Sequence, residues 1–342
     1  MPTRVGLVGA GGIAVEHAAA WAALGAEMAV YSTEGAEQLA AAHGADVAAT
    51  FDDLVERSDV VDVLTPTPAH HTYALRALRA GKHVICEKPM ARTSEEAAEL
   101  VTAAAGAGVH LYPAHVVRFF PQYAALHDAV RAGRVGRVAV QRFTRSGVFP
   151  AWSPWFADFE QSGGIVMDQM IHDLDVARWL AGEVVEVYAT QRTAGQGAHT
   201  RQTAHVTLTH AAGAISHVAG VWGPPHLTFR TSFDVAGDAG NLHFDSAEQS
   251  TVRLDLDRRS GGELRAPDGG PESPYLTQIR ELAAAISGGS APRVSAVDGA
   301  IAVDLAVAGI ESLARGAAVR VDTAARVREL NRTAATNRRN VA

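Results

Sequence analysis

At 342 residues the chain is about twice the usual domain length, so two domains around two cores are expected. With 47% hydrophobic and 20% charged residues the composition excludes a disordered chain, and 37 acidic against 30 basic side chains, a formal charge of −7, disfavour nucleic acid and anionic membranes as partners. The single cysteine, Cys86, forms no internal disulfide, the N-terminal segment reads as a strand instead of an export signal, and no stretch approaches the ~18 apolar residues of a membrane span. A cytoplasmic protein without disulfides or a structural metal is therefore expected.

The first third alternates short β-branched runs with helical stretches, the signature of βαβ units around a parallel sheet. Arg4 to Val8 is the first strand, then a glycine cluster and a helix from Ile13 to Leu24. Glu27 to Tyr31 is the second strand and Gly35 to His43 its helix. Val60 to Leu64 and His83 to Cys86 follow, separated by a helix over His70 to Ala80. A helix opens at Ser94, with Glu95 and Glu96 in its first turn, where the positive helix end favours them. Val109 to Tyr112 is the last strand of this series. Strands fed through helices in this order build a doubly wound sheet.

After about residue 135 the period changes. Val138 to Arg145, Val184 to Arg192, Thr203 to His210, Ala214 to Trp222, Thr228 to Val235 and Thr251 to Leu256 are strand-like, and several alternate apolar with polar as half-buried antiparallel strands do. One helix, Gly164 to Leu180, interrupts them, and helices over Tyr275 to Ile286 and Ala296 to Arg315 close the chain. The predicted fold is an α/β Rossmann domain with a doubly wound parallel sheet over residues 1–122. An α+β domain with a large open, mostly antiparallel sheet follows over 123–330, then a frayed polar tail over 331–342. His205, His210 and His217 are expected at exposed sheet positions. An open sheet face would expose a large patch, which favours association.

Gly9-Ala10-Gly11-Gly12-Ile13-Ala14 directly follows the first strand and opens a helix. Gly9 permits the tight turn, Gly11 lets backbone approach a pyrophosphate, and Ala14 is small enough for helix-on-strand packing. The free N–H groups at Gly11, Gly12 and Ile13, with the helix dipole, suit an anion. This is a dinucleotide site, against a plain structural turn. An acidic ribose ligand is expected at the end of the second strand, yet that place reads Tyr31-Ser32-Thr33, with Glu34 late. The Ser32 and Thr33 hydroxyls can donate to a 2′-phosphate, so the choice between NAD and NADP leans to NADP.

Cys86-Glu87-Lys88-Pro89 ends a strand at the carboxyl edge, where open α/β sheets place ligands. Lys88 there can hold a substrate hydroxyl or carbonyl oxygen beside a nicotinamide; the alternative is a surface Glu-Lys pair in a loop. Gly163 to Asp175 is the densest polar cluster. On one helix Asp168, His172 and Asp175 fall at i, i+4 and i+7, on one face, and a His oriented by a carboxylate is a proton acceptor near neutral pH. A metal site and a buried ion network are the two competing readings, although no Cys or second His completes a ligand set.

Together the glycine turn, Thr65-Pro66 with His70, Gly81-Lys82-His83 leading to Glu87-Lys88-Pro89, Arg118-Phe119, and Gly163-Gly164 through Asp168, His172 and Asp175 resemble the Gfo/Idh/MocA oxidoreductase family over about residues 4 to 322. Gly163 to Val187 is most similar to the inositol dehydrogenase branch. The resemblance implies NAD(P)-linked oxidation of a sugar or cyclic polyol hydroxyl and a homodimer or homotetramer built on the open sheet. It makes Lys88, Asp168 and His172 the catalytic trio, and Thr65, Pro66, Glu87 and His70 cofactor contacts. Arg118 and Trp152 join the trio as substrate contacts. The segment Phe149 to Phe156 is unusually aromatic for the family; its tryptophans could stack on a sugar ring or pack a hinge. A non-catalytic nucleotide- or sugar-sensing protein on the same fold is the alternative.

Overall fold

The computed structural model describes residues 2–248, 252–256, 262–264 and 272–341, so Thr251, expected to open a strand, lies outside the described residues. In chain order the first elements are β1 (Arg4–Val8), α1 (Gly12–Ala23), β2 (Glu27–Tyr31), α2 (Ala36–His43), β3 (Asp46–Val47), α3 (Phe51–Arg57), β4 (Val60–Val63), α4 (Thr67–Arg79), β5 (His83–Glu87), α5 (Ser94–Ala107) and β6 (Leu111–Ala114). The middle of the chain holds α6 (Pro121–Arg131), β7 (Val138–Val148), α7 (Phe159–Ser162), α8 (Gly164–Asp168), α9 (Ile171–Ala181), β8 (Val184–Ala194), β9 (Arg201–His210), β10 (Ile215–Gly223), β11 (Arg230–Gly237), β12 (Gly240–Asp245), β13 (Val252–Leu256) and β14 (Gly262–Leu264). The C-terminal elements are α10 (Pro274–Ile286), α11 (Ala296–Arg315), β15 (Val319–Arg320) and α12 (Thr323–Val341).

Two compact units result: Met1–Phe119 with Gly270–Ala300 and Val327–Ala342, and Phe120–Gly269 with Ile301–Arg326. The first carries a six-stranded sheet in the order β3-β2-β1-β4-β5-β6, parallel in every pairing. Its central strands are buried on both faces, which is why Val60–Val63 and His83–Glu87 read as nearly continuous apolar runs. Ala14 and Ala18 let α1 lie close on the sheet, and Ile279, Leu282 and Ala285 of α10 join the same core. That apolar stripe is why residues 270–300 return to the first unit, where a contiguous 123–330 domain was expected. Thr93, one residue before the expected start of α5, is its cap: its side chain accepts from Glu96 N–H while Glu96 reaches back to Thr93 N–H.

The second unit carries a nine-stranded sheet ordered β14-β13-β12-β11-β7-β10-β9-β8-β15. Its pairings are antiparallel except β7 with β10, which run parallel. Gln141, Phe143 and Arg145 of β7, and Ala204, Val206 and Leu208 of β9, are buried, while alternate positions such as Arg142, His205 and His217 are exposed. One face of the sheet is thus a core and the other carries polar side chains. His210 departs from the exposed position expected for it: it is buried, with Nδ1 2.7 Å from the Gly182 carbonyl oxygen and Nε2 2.7 Å from Ser216 Oγ.

Two further expectations change. The tail is helical, not frayed: α12 buries Leu330, and Asn337 Nδ2 donates to the Thr102 carbonyl oxygen at 3.4 Å. The expected helix over Gly164 to Leu180 is broken between α8 and α9. Met170 N–H bonds the Ile165 carbonyl, five residues back, and Met170 fills a notch at Gly220 of β10, where an added Cβ would lie 2.5 Å from Met170 Cγ. Among the described residues no helix is long and apolar enough to cross a membrane.

Candidate active site

In the first unit, β1 leads directly into the glycine turn. Gly9 has φ +110° and its N–H donates to the Tyr31 carbonyl oxygen at 2.8 Å; a Cβ there would stand 2.7 Å from the Leu64 carbonyl oxygen. Only glycine accommodates both demands. Around Gly11 and Gly12, by contrast, an added Cβ would meet nothing within 4 Å, so the first turn of α1 faces open space. The buried Thr65 Oγ1 has no hydrogen-bond partner among the described residues. An open helix N-terminus beside an unsatisfied hydroxyl fits the pyrophosphate end of a dinucleotide. Ile13 is half-buried in the first turn of α1; Pro66 caps α4, and Ser32 and Thr33 follow β2, half-buried and exposed.

The turn after β5 is held from several sides. Glu87 is buried and its Oε2 accepts the Lys88 N–H at 3.0 Å; the Lys88-Pro89 peptide is cis. His70, also buried, stands with Nδ1 2.7 Å from the Pro89 carbonyl oxygen and Nε2 2.6 Å from that of Thr65, bridging the two turns. Burial pushes its pKa down, against the pull of those carbonyls and Glu87, with Lys88 adding to the push. The ring is thus occupied as a brace. Lys88 is half-buried at the carboxyl end of a central parallel strand.

A feature missed in the sequence lies beneath this turn. His17 of α1 places Nδ1 2.9 Å from Asp62 Oδ2 on β4 and Nε2 3.4 Å from Glu87 Oε1, and Trp21 Nε1 donates to the same Asp62 oxygen at 2.9 Å. His17 and Asp62 are both fully enclosed. The signal was an Asp within the apolar run Val60-Val61-Asp62-Val63, since a buried carboxylate demands a partner. His17 and Trp21, four residues apart on an otherwise small apolar helix face, answer it.

In the second unit Asp168 ends α8, and His172 lies in the first turn of α9; both are half-buried, whereas Asp175 is buried. The break at Gln169 and Met170 replaces the regular i, i+4 spacing expected of them. It is fastened by a buried ion pair: Arg145 Nε and Nη2 each donate to Asp173 at 2.8 Å, and Gln169 Nε2 donates to the Arg145 carbonyl oxygen at 2.8 Å. Burial lowers the Arg145 pKa, but Asp173 and Tyr123 outweigh it and raise the value. Trp152 is 77% exposed, whereas Trp155 stacks on Phe156 at 3.9 Å and Phe149 meets Trp222 edge-on at 5.5 Å. The aromatic segment therefore contains both a packed anchor and an open ring. Arg118 belongs to the first unit and is enclosed there: its Nη1 donates to the Arg293 carbonyl oxygen at 2.6 Å and lies 3.5 Å from Asp298 Oδ2, a brace for that segment. Among the described residues no group of three or more His, Cys, Asp or Glu could hold a metal ion.

The two halves match two family models: residues 3–115 the oxidoreductase family with an NAD-binding Rossmann fold, and residues 123–243 the C-terminal domain that accompanies it. The chain belongs to the Gfo/Idh/MocA oxidoreductase family. It is 32% identical over 336 residues to a 1,5-anhydro-D-fructose reductase of Ensifer adhaerens, covering 94% of this chain and 99% of that protein. A myo-inositol 2-dehydrogenase of Thermotoga maritima is 28% identical, over 77% of this chain and 80% of its own. Among solved structures, levoglucosan dehydrogenase in complex with NADH and L-sorbose shares the fold, with a TM-score of 0.82 and 24% identity over 94% of this chain and 99% of that one.

Proposed function

We propose that this Gfo/Idh/MocA oxidoreductase interconverts a secondary hydroxyl and a carbonyl on a sugar, cyclic polyol or sugar derivative. The supporting observation is Lys88: an ammonium at the carboxyl end of β5, in a turn braced to the Thr65 turn by His70, on the same sheet as the open glycine turn. A nicotinamide bound by that turn supplies the hydride chemistry. The chain's own task is to hold the reacting oxygen and move its proton. Lys88 holds and polarises the oxygen; His172, oriented by Asp168, takes the hydroxyl proton in oxidation and returns it in reduction. Gly9, Gly11, Gly12 and Ile13 receive the pyrophosphate, with Thr65, Pro66 and Glu87 completing the cofactor's surroundings, and Trp152 offers its face to the sugar ring.

Ser32 and Thr33 favour NADP over NAD, because two hydroxyl donors follow β2 where a carboxylate would repel a 2′-phosphate. The exposed polar face of the nine-stranded sheet is assigned to a homodimer or homotetramer contact, and the single buried Cys86 to a reducing cytoplasm. The test is formation of reduced nicotinamide, read by absorbance, with a panel of polyols and sugars and both cofactors. His172→Ala and Lys88→Ala should each lower turnover about 10²-fold or more while nucleotide titration shows cofactor affinity largely kept. Nucleotide binding with no turnover on any substrate would replace the dehydrogenase reading by a sensing one.

A further inference from the structure

His17, Asp62 and Glu87 form a buried charge cluster in the first unit, and the chemistry proposed above leaves His17 and Asp62 without a role. Its geometry sets two carboxylates against one imidazole ring. A carboxylate only accepts hydrogen bonds, and a neutral imidazole carries a single N–H. Nδ1 lies 2.9 Å from Asp62 Oδ2, and Nε2 lies within ion-pair distance of Glu87 Oε1 at 3.4 Å, although neither of those last two atoms has a hydrogen-bond partner among the described residues; only an imidazolium carries charge and an N–H toward both carboxylates. The same Glu87 carboxylate accepts, through Oε2, the main-chain N–H of Lys88.

We infer that His17 is a positioning residue: its imidazolium draws the Glu87 carboxylate inward and so fixes the backbone of Lys88 relative to α1, the helix that opens on the glycine turn. The inference rests on the role proposed above for Lys88. Burial alone lowers the His17 pKa, but Asp62 and Glu87 overcome it and push the value up to about 10, so the ring stays charged through neutrality. Burial raises Glu87, and His17, Lys88 and His70 together hold it below the usual carboxylate value. Also facing the cluster are the Cys86 thiol, pushed well up by burial and by Glu87 and Asp62, and the Tyr275 ring of α10, 6.1 Å from that of His17. Two carboxylates thus share one fixed counter-charge, with Lys88 at the rim of the cluster.

A purely structural histidine and a positioning one differ in what replacement does to the pH profile. In His17→Gln the amide has no charge, so one carboxyl must keep its proton; as that proton leaves, Glu87 turns outward and Lys88 shifts with it. Turnover of His17→Gln should fall with rising pH between about pH 5 and 9, the range open to a buried carboxyl without a counter-charge, a limb absent from the unmodified enzyme. The loss at the alkaline end should be on the order of 10- to 100-fold, the cost of a displaced reacting group. The double variant His17→Gln/Glu87→Gln, with no Glu87 carboxyl to titrate, should lose that limb and run parallel to the unmodified enzyme.

The assay uses the full chain, the cofactor and polyol turned over fastest by the unmodified enzyme, and initial rates across pH. Profiles of His17→Gln and the unmodified enzyme that run parallel overturn the positioning role. Should His17→Gln not fold, Glu87→Gln alone leaves the His17–Asp62 pair balanced; it should lower turnover more than it raises KM for cofactor, and unchanged turnover overturns the inference. The charge is read independently of activity by nitrogen-15 NMR of the histidine rings, assigned by the His17→Gln spectrum. Both His17 nitrogens should be protonated at about pH 8, well below the value of about 10, and a single protonated nitrogen overturns the imidazolium. Absence of turnover in the unmodified enzyme instead refutes the dehydrogenase reading, and the NMR result then still decides the charge.

Discussion

Asp173→Asn should be among the most destabilising polar substitutions in the second unit. Arg145 and Asp173 are joined by two parallel bonds of 2.8 Å, both side chains are buried, and the Tyr123 hydroxyl lies 3.3 Å from Arg145 Nη2. Removing the carboxylate leaves a buried guanidinium that cannot shed its proton. Breaking one side of a buried pair costs about 3–5 kcal/mol. For a unit of this size each kcal/mol moves the midpoint about 2–4 °C, so a fall of roughly 6–20 °C is expected. Tryptophan fluorescence reads this unit selectively, because Trp152, Trp155, Trp179 and Trp222 lie in it and only Trp21 in the other. The compensated double variant Arg145→Met/Asp173→Leu should return to within about 1–2 kcal/mol of the unmodified protein, since apolar pairs commonly replace buried ion pairs without loss. Its turnover should stay low, because His172 adjoins Asp173, whose bonds to Arg145 fasten the helix break before it. A cost below about 1 kcal/mol for Asp173→Asn would refute the account of an uncompensated buried charge.

Gly9→Ala should lose about 2–4 kcal/mol, combining the cost of φ +110° for an L side chain with a clash against the Leu64 carbonyl, and should weaken NADH binding in a fluorescence titration by more than it weakens folding of the second unit. Stability should also depend on pH through His17. Its folded value of about 10 lies above the ordinary 6.5, so its contribution is complete below about pH 6.5 and is lost as pH rises through 10. The ceiling on that loss is about 5 kcal/mol, measured as the difference in urea unfolding between neutral pH and about pH 10.5, and His17→Gln should show much less of it.

What was legible in the sequence and what was not divide along a physical line. Five of the six parallel strands announce themselves because their interior positions are buried and apolar, so a local apolar run suffices. β3 escaped notice because two residues carry no period, and α6 because its apolar face, Tyr123, Leu126 and Ala129, is spaced among polar residues. Lys88 was singled out as a candidate by its place at a strand's carboxyl edge, and Asp168 and His172 by their residue types and spacing on one expected helix. The features that fasten them were not, because each joins residues far apart in the chain. Asp62 finds His17 across forty-five positions, and Arg145 finds Asp173 across twenty-eight. The helix break before His172 depends on a glycine in β10, fifty residues away, leaving room for Met170. A local pattern specifies which groups can do acid–base chemistry; the orientation of those groups is set by buried charges and small residues that only the folded chain brings to them. Substitutions in that supporting layer should therefore impair turnover without touching any group that meets the substrate, and Arg145 and His17 are where this separation is sharpest.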